Sequence, residues 1–158
     1  MATETASRTS RQSPDPFDVF ATYLKEHRLR NTAERNAVLK ELVQAKDHLD
    51  AEGLLVRLRK RSHPVSRATL YRTLDHLVIA GLVKKHSFGQ GHAQYEYVLG
   101  RKHHDHMVCD RCGLVIEFIN DEIESLQEEV CRQHGFQSTN HVMEIFGICK
   151  DCRSAKKK

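Results

Sequence analysis

Four cysteines in two C-x-x-C pairs are the residues of this chain best suited to chemistry. The pairs are Cys109/Cys112 and Cys149/Cys152. Thiolates at this spacing can close on one tetrahedral zinc ion. Because 36 residues separate the pairs, the fold has to bring them together, and zinc would tie one to the other. The alternative is four reduced thiols without a metal. Cys131 stands apart and is expected to be a core residue.

A polar run, His103-His104-Asp105-His106, precedes the first cysteine pair. In a strand, successive side chains point to opposite faces, so His104 and His106 share one face. His103 and Asp105 share the other, which predicts two metal sites back to back. The alternative is a solvated polar strand. Candidate partners are Glu117, Glu96 and His48 for the first face, and Glu124 and His141 for the second.

This mixture of imidazole and carboxylate donors restricts the metal. It suits Fe(II), Mn(II), Co(II) or Zn(II) rather than Cu(I), and raw affinity would favour zinc over iron. A mononuclear metalloenzyme would need an open coordination position. The sequence offers no additional nucleophile, so we predict that the chain is not an enzyme. A metal store or chaperone is a further alternative, but it would leave a basic helix unexplained.

The elements that position these residues divide into two parts. The first part is predicted to be helical, with a first helix at Phe17–Leu24 and three more that each follow a capping residue. Gly81 lies where a C-terminal glycine is common. Two strands joined by a turn then complete a winged helix-turn-helix. The caps are Thr32, Asp50 and Ser66, and the strands are Leu82-Val83 and Tyr95–Val98.

The second part follows a predicted hinge at residues 100–102. Strands are predicted at 103–109, 114–118 and 141–148, with a helix at 121–134 ended by Gly135. They form a small α/β module, so the fold class is α+β. The residues of this helix expected to face inward are Ile123, Leu126, Val130 and Cys131.

The fourth predicted helix carries a face suited to DNA. Tyr71 can meet thymine methyls, and Arg67 or Arg72 can reach guanine edges or phosphates. Ser66 and Thr69 at the helix start can meet phosphate. Residues 1–100 carry a net charge of +5, whereas residues 101–158 carry −1. The alternative is a solvated helix face with a half-buried tyrosine. A further candidate is Arg30, which could enter a minor groove.

No apolar run approaches the ~20 residues that a membrane-spanning helix needs. The N-terminal segment, Met1–Pro16, is polar and lacks the apolar stretch of a secretory signal. We therefore predict a cytoplasmic protein, in which cysteines are metal ligands or buried thiols rather than disulfides.

Several motifs together resemble the ferric uptake regulator family over residues 17–153. They are Ser66-Arg67-Ala68-Thr69-Leu70-Tyr71-Arg72-Thr73-Leu74, the run from His103 to Gly113, Thr139-Asn140-His141 and the final C-x-x-C. The resemblance implies a homodimeric, metal-dependent transcription regulator with an N-terminal winged helix and a C-terminal dimerisation domain. The predicted boundaries are a disordered leader at 1–16, a DNA-binding domain at 17–99, a hinge at 100–102, a metal-binding dimerisation domain at 103–153 and a basic tail at 154–158.

The resemblance also implies roles for the candidate residues. The four cysteines would hold a structural Zn²⁺, and DNA contacts would map onto Arg30, Tyr71 and Arg72. The implied regulatory site comprises His48, Glu96, His104, His106 and Glu117. The implied additional site comprises His103, Asp105, Glu124 and His141.

The branch of the family follows from two regulatory positions. Peroxide sensors tend to carry aspartates where this chain has Glu96 and Glu117, and zinc sensors often bring a cysteine to the site. Two glutamates favour an Fe²⁺ sensor, with Mn²⁺ or Zn²⁺ as alternative regulatory ions. The expected function is repression of iron-uptake genes at pseudo-palindromic operators, by a dimer or a tetramer. A peroxide-, zinc- or manganese-sensing member is the alternative.

Overall fold

A computed structural model describes residues 14–45, 48–89 and 91–155. The described residues divide into two compact units, the first reaching Lys84 and including Tyr95–Gly100. The second comprises Lys85–Gln94 and the chain from Arg101 onward. The predicted first domain therefore differs from the first unit in the segment between its last two strands. None of the described helices is long and apolar enough to cross a bilayer.

The described residues of the first unit form four helices, and the caps predicted for three of them are confirmed. Thr32 accepts a hydrogen bond from the Arg35 amide at 3.4 Å, and Asp50 accepts one from the Gly53 amide at 2.7 Å. Such caps satisfy amides that have no partner within a helix. The helices are α1 Pro16–Glu26, α2 Ala33–Gln44, α3 Ala51–Lys60 and α4 Arg67–Ile79.

The start of α1 corrects the predicted leader. Asp15 caps this helix by accepting from the Phe17 amide at 2.7 Å, and Pro16 is its first residue. Proline suits this position because its missing N–H would have no helical partner. The ordered chain therefore begins before residue 17. Residues 1–13 of the predicted leader and 156–158 of the predicted tail lie outside the described residues.

Aliphatic side chains form the core of the first unit. α2 packs against α3 and α4, and leucines from all three helices are fully buried. Strands β1, Leu49–Asp50, β2, Val83–His86, and β3, Gln94–Tyr97, form a sheet in the order β1-β3-β2. Gly81 has a φ of +70°, as its predicted place at the end of α4 requires. Principal core residues are Phe20, Leu24, Val38, Leu39, Leu42, Leu54, Leu58, Leu70, Leu74, Leu77 and Leu82.

One buried carboxylate in this unit forms an ion pair with an arginine. The Glu41 side chain is 3% exposed, and its Oε1 lies 2.7 Å from Nε of Arg61. We expect Arg61→Ala to lower the free energy of unfolding by about 2 kcal/mol, because it leaves a buried charge without its partner. Arg59→Ala, an exposed site in the last turn of α3 just before Arg61, is the matched control. Equal denaturation midpoints for the two variants would contradict this expectation.

The second unit is built around strand β4. β4, Asp105–Cys109, lies between β5, Val115–Phe118, and β6, Glu144–Gly147. It is antiparallel to β5 and parallel to β6, and α5, Asp121–Gln133, connects the two outer strands. The third predicted strand is shorter than expected, since β6 begins at Glu144 rather than at residue 141. A short helix that the periodicity did not predict, α6 at Lys150–Ser154, follows β6.

The prediction that one face of α5 is buried is wrong for the described residues. Leu126 is 65% exposed and Val130 is 54% exposed, while Ile123 and Cys131 are only half-buried. The helical periodicity was correct, but no element of the described residues covers this stripe. Met107, Ile116 and Ile145 on the sheet are also exposed. An apolar stripe shows which face avoids water, not which molecule covers it.

Candidate functional site

The four paired cysteines come together at one end of the second unit. Their four Sγ atoms lie within 4.8 Å of one another, and Sγ of Cys112 is 3.7 Å from Sγ of Cys149. Tetrahedral coordination with Zn–S bonds of about 2.3 Å requires sulfur separations of about 3.8 Å. The donors are therefore spaced as zinc requires. The sequence predicted this cluster completely.

Local structure explains how the thiols are held. Cys109 ends β4, and Cys149 caps α6 by accepting from the Cys152 amide at 3.5 Å. The backbone N–H groups of Cys149 and Cys112 lower the pKa of the Cys109 thiol to about 6. Hydrogen bonds shared with the thiols of Cys112 and Cys149 raise the pKa of Cys152 to about 12. A bound Zn²⁺ would favour the thiolate form of all four side chains.

A second cluster gathers the predicted His103 group on one side of β4. Nε2 of His103 lies 3.3 Å from Oδ1 of Asp105 and 3.5 Å from Oε1 of Glu124. Nε2 of His141 lies 3.7 Å and 3.4 Å from the same two oxygens. The two nitrogens and two oxygens thus alternate around one point. Strand alternation predicted that His103 and Asp105 share this face, and the structure adds the two candidate partners, Glu124 and His141.

The chemistry of this second cluster fits a divalent cation. Asp105 is 2% exposed, and its Oδ1 is buried without a hydrogen bond among the described residues. Nε2 of His141 is buried in the same condition. Burying polar atoms without partners is costly, and a cation shared by all four donors would remove that cost. Two imidazoles and two carboxylates suit Fe(II), Mn(II), Co(II) or Zn(II).

A third cluster lies on the opposite side of β4. The donor atoms of His104, His106 and Glu117 lie within 4.8 Å of one another. His106 and Glu117 are directly opposite in the β4–β5 register. Nδ1 of His104 lies 3.1 Å from the carbonyl oxygen of Lys102. That hydrogen bond places the ring proton on Nδ1 and leaves Nε2 with the lone pair that a metal needs.

The other two predicted regulatory residues meet within the first unit. His48 immediately precedes β1 and Glu96 lies on β3, the neighbouring strand. Nε2 of His48 is 3.6 Å from Oε2 of Glu96, and both side chains are at most 5% exposed. A buried imidazole and carboxylate at this separation can supply two of the ligands that a metal ion needs.

His86 is a candidate ligand that the sequence pattern did not indicate. It ends β2, is 8% exposed and stacks on Phe88. Within the second unit, its ring centroid lies 4.8 Å from that of His106, and its Nδ1 is 4.0 Å from Oε1 of Glu144. A single histidine after two lysines carries no spacing signal. Only the tertiary structure shows its neighbours.

The predicted DNA-reading helix begins as expected. Ser66 accepts from the Thr69 amide at 3.1 Å and donates its hydroxyl to Oγ1 of Thr69 at 2.9 Å. Tyr71 is 45% exposed and Arg72 is also exposed, so both are available to a ligand. Arg67, however, is engaged by a carboxylate of α3. Away from this helix, Arg30 is exposed in the turn before α2.

Comparisons with known proteins agree with this arrangement. A profile of the ferric uptake regulator family matches residues 26–146. A ferric uptake regulation protein of Campylobacter jejuni is 39% identical over 142 residues, covering 88% of this chain and 89% of the relative. The structure of the Helicobacter pylori ferric uptake regulator, described as having three functional metal-binding sites, gives a TM-score of 0.83 at 26% identity, over 94% of this chain and 100% of that one. The Pseudomonas aeruginosa ferric uptake regulator with manganese gives 0.72 at 36% identity, over 84% and 98%.

Proposed function

Because the chain belongs to the ferric uptake regulator family, we propose that it is a repressor whose operator binding responds to Fe²⁺. Proteins of this family are metal-dependent, DNA-binding transcription regulators rather than enzymes. The regulatory donors would be His48 and Glu96 from the first unit, with His104, His106 and Glu117 from the second. The observation that carries the proposal is that each unit holds a preassembled group of imidazole and carboxylate donors.

One bound cation would be held by donors that both units contribute. The chain supplies the orientation: the Lys102 carbonyl aims His104, and β5 holds Glu117 opposite His106. Joining these donors would restrict the angle between a DNA-reading unit and a dimerising unit. In a homodimer, that angle sets the separation of the two α4 helices.

A twofold pair of helices must match successive major grooves, which are about 34–36 Å apart along the duplex. An angle that places the two α4 helices at that separation would raise the affinity for a pseudo-palindromic operator. By linkage, operator binding would then tighten metal binding by the same factor. We propose that Tyr71 and Arg72 read the major groove, Ser66 and Thr69 lie beside phosphates, and Arg30 enters a minor groove.

The exposed apolar residues of the second unit support a homodimer. Leu126 and Val130 on α5, together with Met107, Ile116 and Ile145 on the sheet, would be covered by the same surface of a second copy. The four cysteines would hold a structural Zn²⁺ beside this sheet. The cluster of His103, Asp105, Glu124 and His141 would hold an additional divalent ion.

The proposal is tested by operator affinity with and without Fe²⁺, measured under anaerobic conditions. The wild-type protein should bind the operator more tightly when metal is present. The effect of metal on its affinity for random duplex should be much smaller. Equal operator affinity in both conditions would overturn the proposal. Mn²⁺ is the second candidate ion, since it suits the same donors and the structure of the Pseudomonas aeruginosa relative is one with manganese. A response to Mn²⁺ alone would favour it over Fe²⁺.

A further inference from the structure

An ion pair links the start of the DNA-reading helix to the preceding helix. Nη1 of Arg67 lies 2.6 Å from Oε1 of Glu52, and Nη2 lies 3.0 Å from Oε2. Arg67 is the first residue of α4, and Glu52 lies in the first turn of α3. Both side chains are exposed, at 66% and 51%. Arg67 is four residues before Tyr71, so the pair lies on the same face of α4 as Tyr71.

The geometry of this pair determines what Arg67 can bind. Each terminal nitrogen of the guanidinium donates to a different oxygen of one carboxylate. Two-point contacts of this kind are stronger than the usual surface ion pair. A phosphate approaching the same two nitrogens would have to displace Glu52. The carboxylate also adds negative charge near the N-terminus of α4, where a phosphate would otherwise be attracted.

We propose that Glu52 is a specificity-determining residue, which withholds Arg67 from the phosphate backbone and so limits sequence-independent DNA binding. This inference rests on the proposed DNA-binding function of α4. Sequence-independent affinity depends on the number of phosphates that cations neutralise. A cation already neutralised by Glu52 adds nothing to that number. Less binding to random sequence leaves more protein for operators, because non-operator sites vastly outnumber them.

The test is binding of Glu52→Gln to a random-sequence duplex over a range of salt concentrations. Freeing Arg67 should add one phosphate contact and steepen the plot of log affinity against log salt by about 0.9. The gain in affinity over wild type should therefore shrink about 3.5-fold between 50 and 200 mM salt. Glu122→Gln makes the same charge change on α5 of the second unit. It controls for net charge and should leave the slope unchanged.

A double variant, Glu52→Gln with Arg67→Gln, separates this proposal from its rival. It replaces a neutral ion pair by a neutral amide pair, so we expect wild-type affinity for random duplex and the wild-type slope. If Arg67 already contacts phosphate in the wild-type complex, the double variant will lose about one contact, which overturns the proposal. Thermal melting of each variant without DNA verifies that the fold is kept.

The outcomes also distinguish this proposal from the function on which it rests. Salt-dependent binding by wild type, with an unchanged slope for Glu52→Gln, would overturn the role of Glu52 alone. Absence of salt-dependent binding by wild type would overturn the DNA-binding function, and this role with it.

Discussion

Cys109→Ser is expected to lose its zinc and to melt more than about 10 °C below wild type, because metal binding in such a site is coupled to folding. Cys109 ends the central strand of the second unit, and its Sγ accepts from the Cys149 amide at 3.3 Å. Removing this thiolate leaves three ligands. It also removes the link through the metal between the end of β4 and the Cys149/Cys152 pair at the start of α6. Metal analysis and thermal melting measure the two effects.

Cys131→Ser is the matched control, since it removes a thiol from the same unit but outside the cluster. This variant should retain zinc at wild-type stoichiometry. A strong chelator should lower the melting temperature of wild type and of Cys131→Ser, but should hardly affect Cys109→Ser. Full zinc content and an unchanged melting temperature in Cys109→Ser would refute the structural role.

His104→Ala is expected to abolish most of the effect of metal on operator binding. A coupling of ordinary size, about 1–3 kcal/mol, tightens wild-type binding roughly 5- to 150-fold when metal is added. His104 contributes an imidazole that the Lys102 carbonyl orients, and alanine can supply no ligand. Without metal, the variant should bind the operator as weakly as the wild-type protein does.

The control for this variant is His134→Ala, an exposed histidine that caps the C-terminal end of α5. It should show the wild-type response to metal. Titrating Fe²⁺ into operator and protein, with affinity measured at fixed salt, gives the coupling for each protein. A wild-type response in His104→Ala would exclude this residue as a regulatory ligand. The affinity of His104→Ala for random duplex should equal that of wild type, because sequence-independent binding depends on phosphate contacts.

The caps and the metal-binding motifs were predictable because their physics is local. Thr32, Asp50 and Ser66 each satisfy amides within three residues, so the helix starts could be placed from sequence. Alternation along a strand correctly grouped His103 with Asp105, because that period extends over adjacent residues. The resemblance to a known family added the partners from distant segments. The metal, the operator and the branch of the family remain predictions.

Sequence by itself determined that the paired cysteines and the histidine run could bind metal, and where α2, α3 and α4 begin, because these depend on residue type and short spacing. Tertiary structure decided what depends on distant neighbours. It left Leu126 exposed despite its helical period, brought His86 beside His106 and paired Arg67 with Glu52. A local pattern specifies the direction in which a side chain points. The packing of segments far apart in the chain determines what that side chain meets.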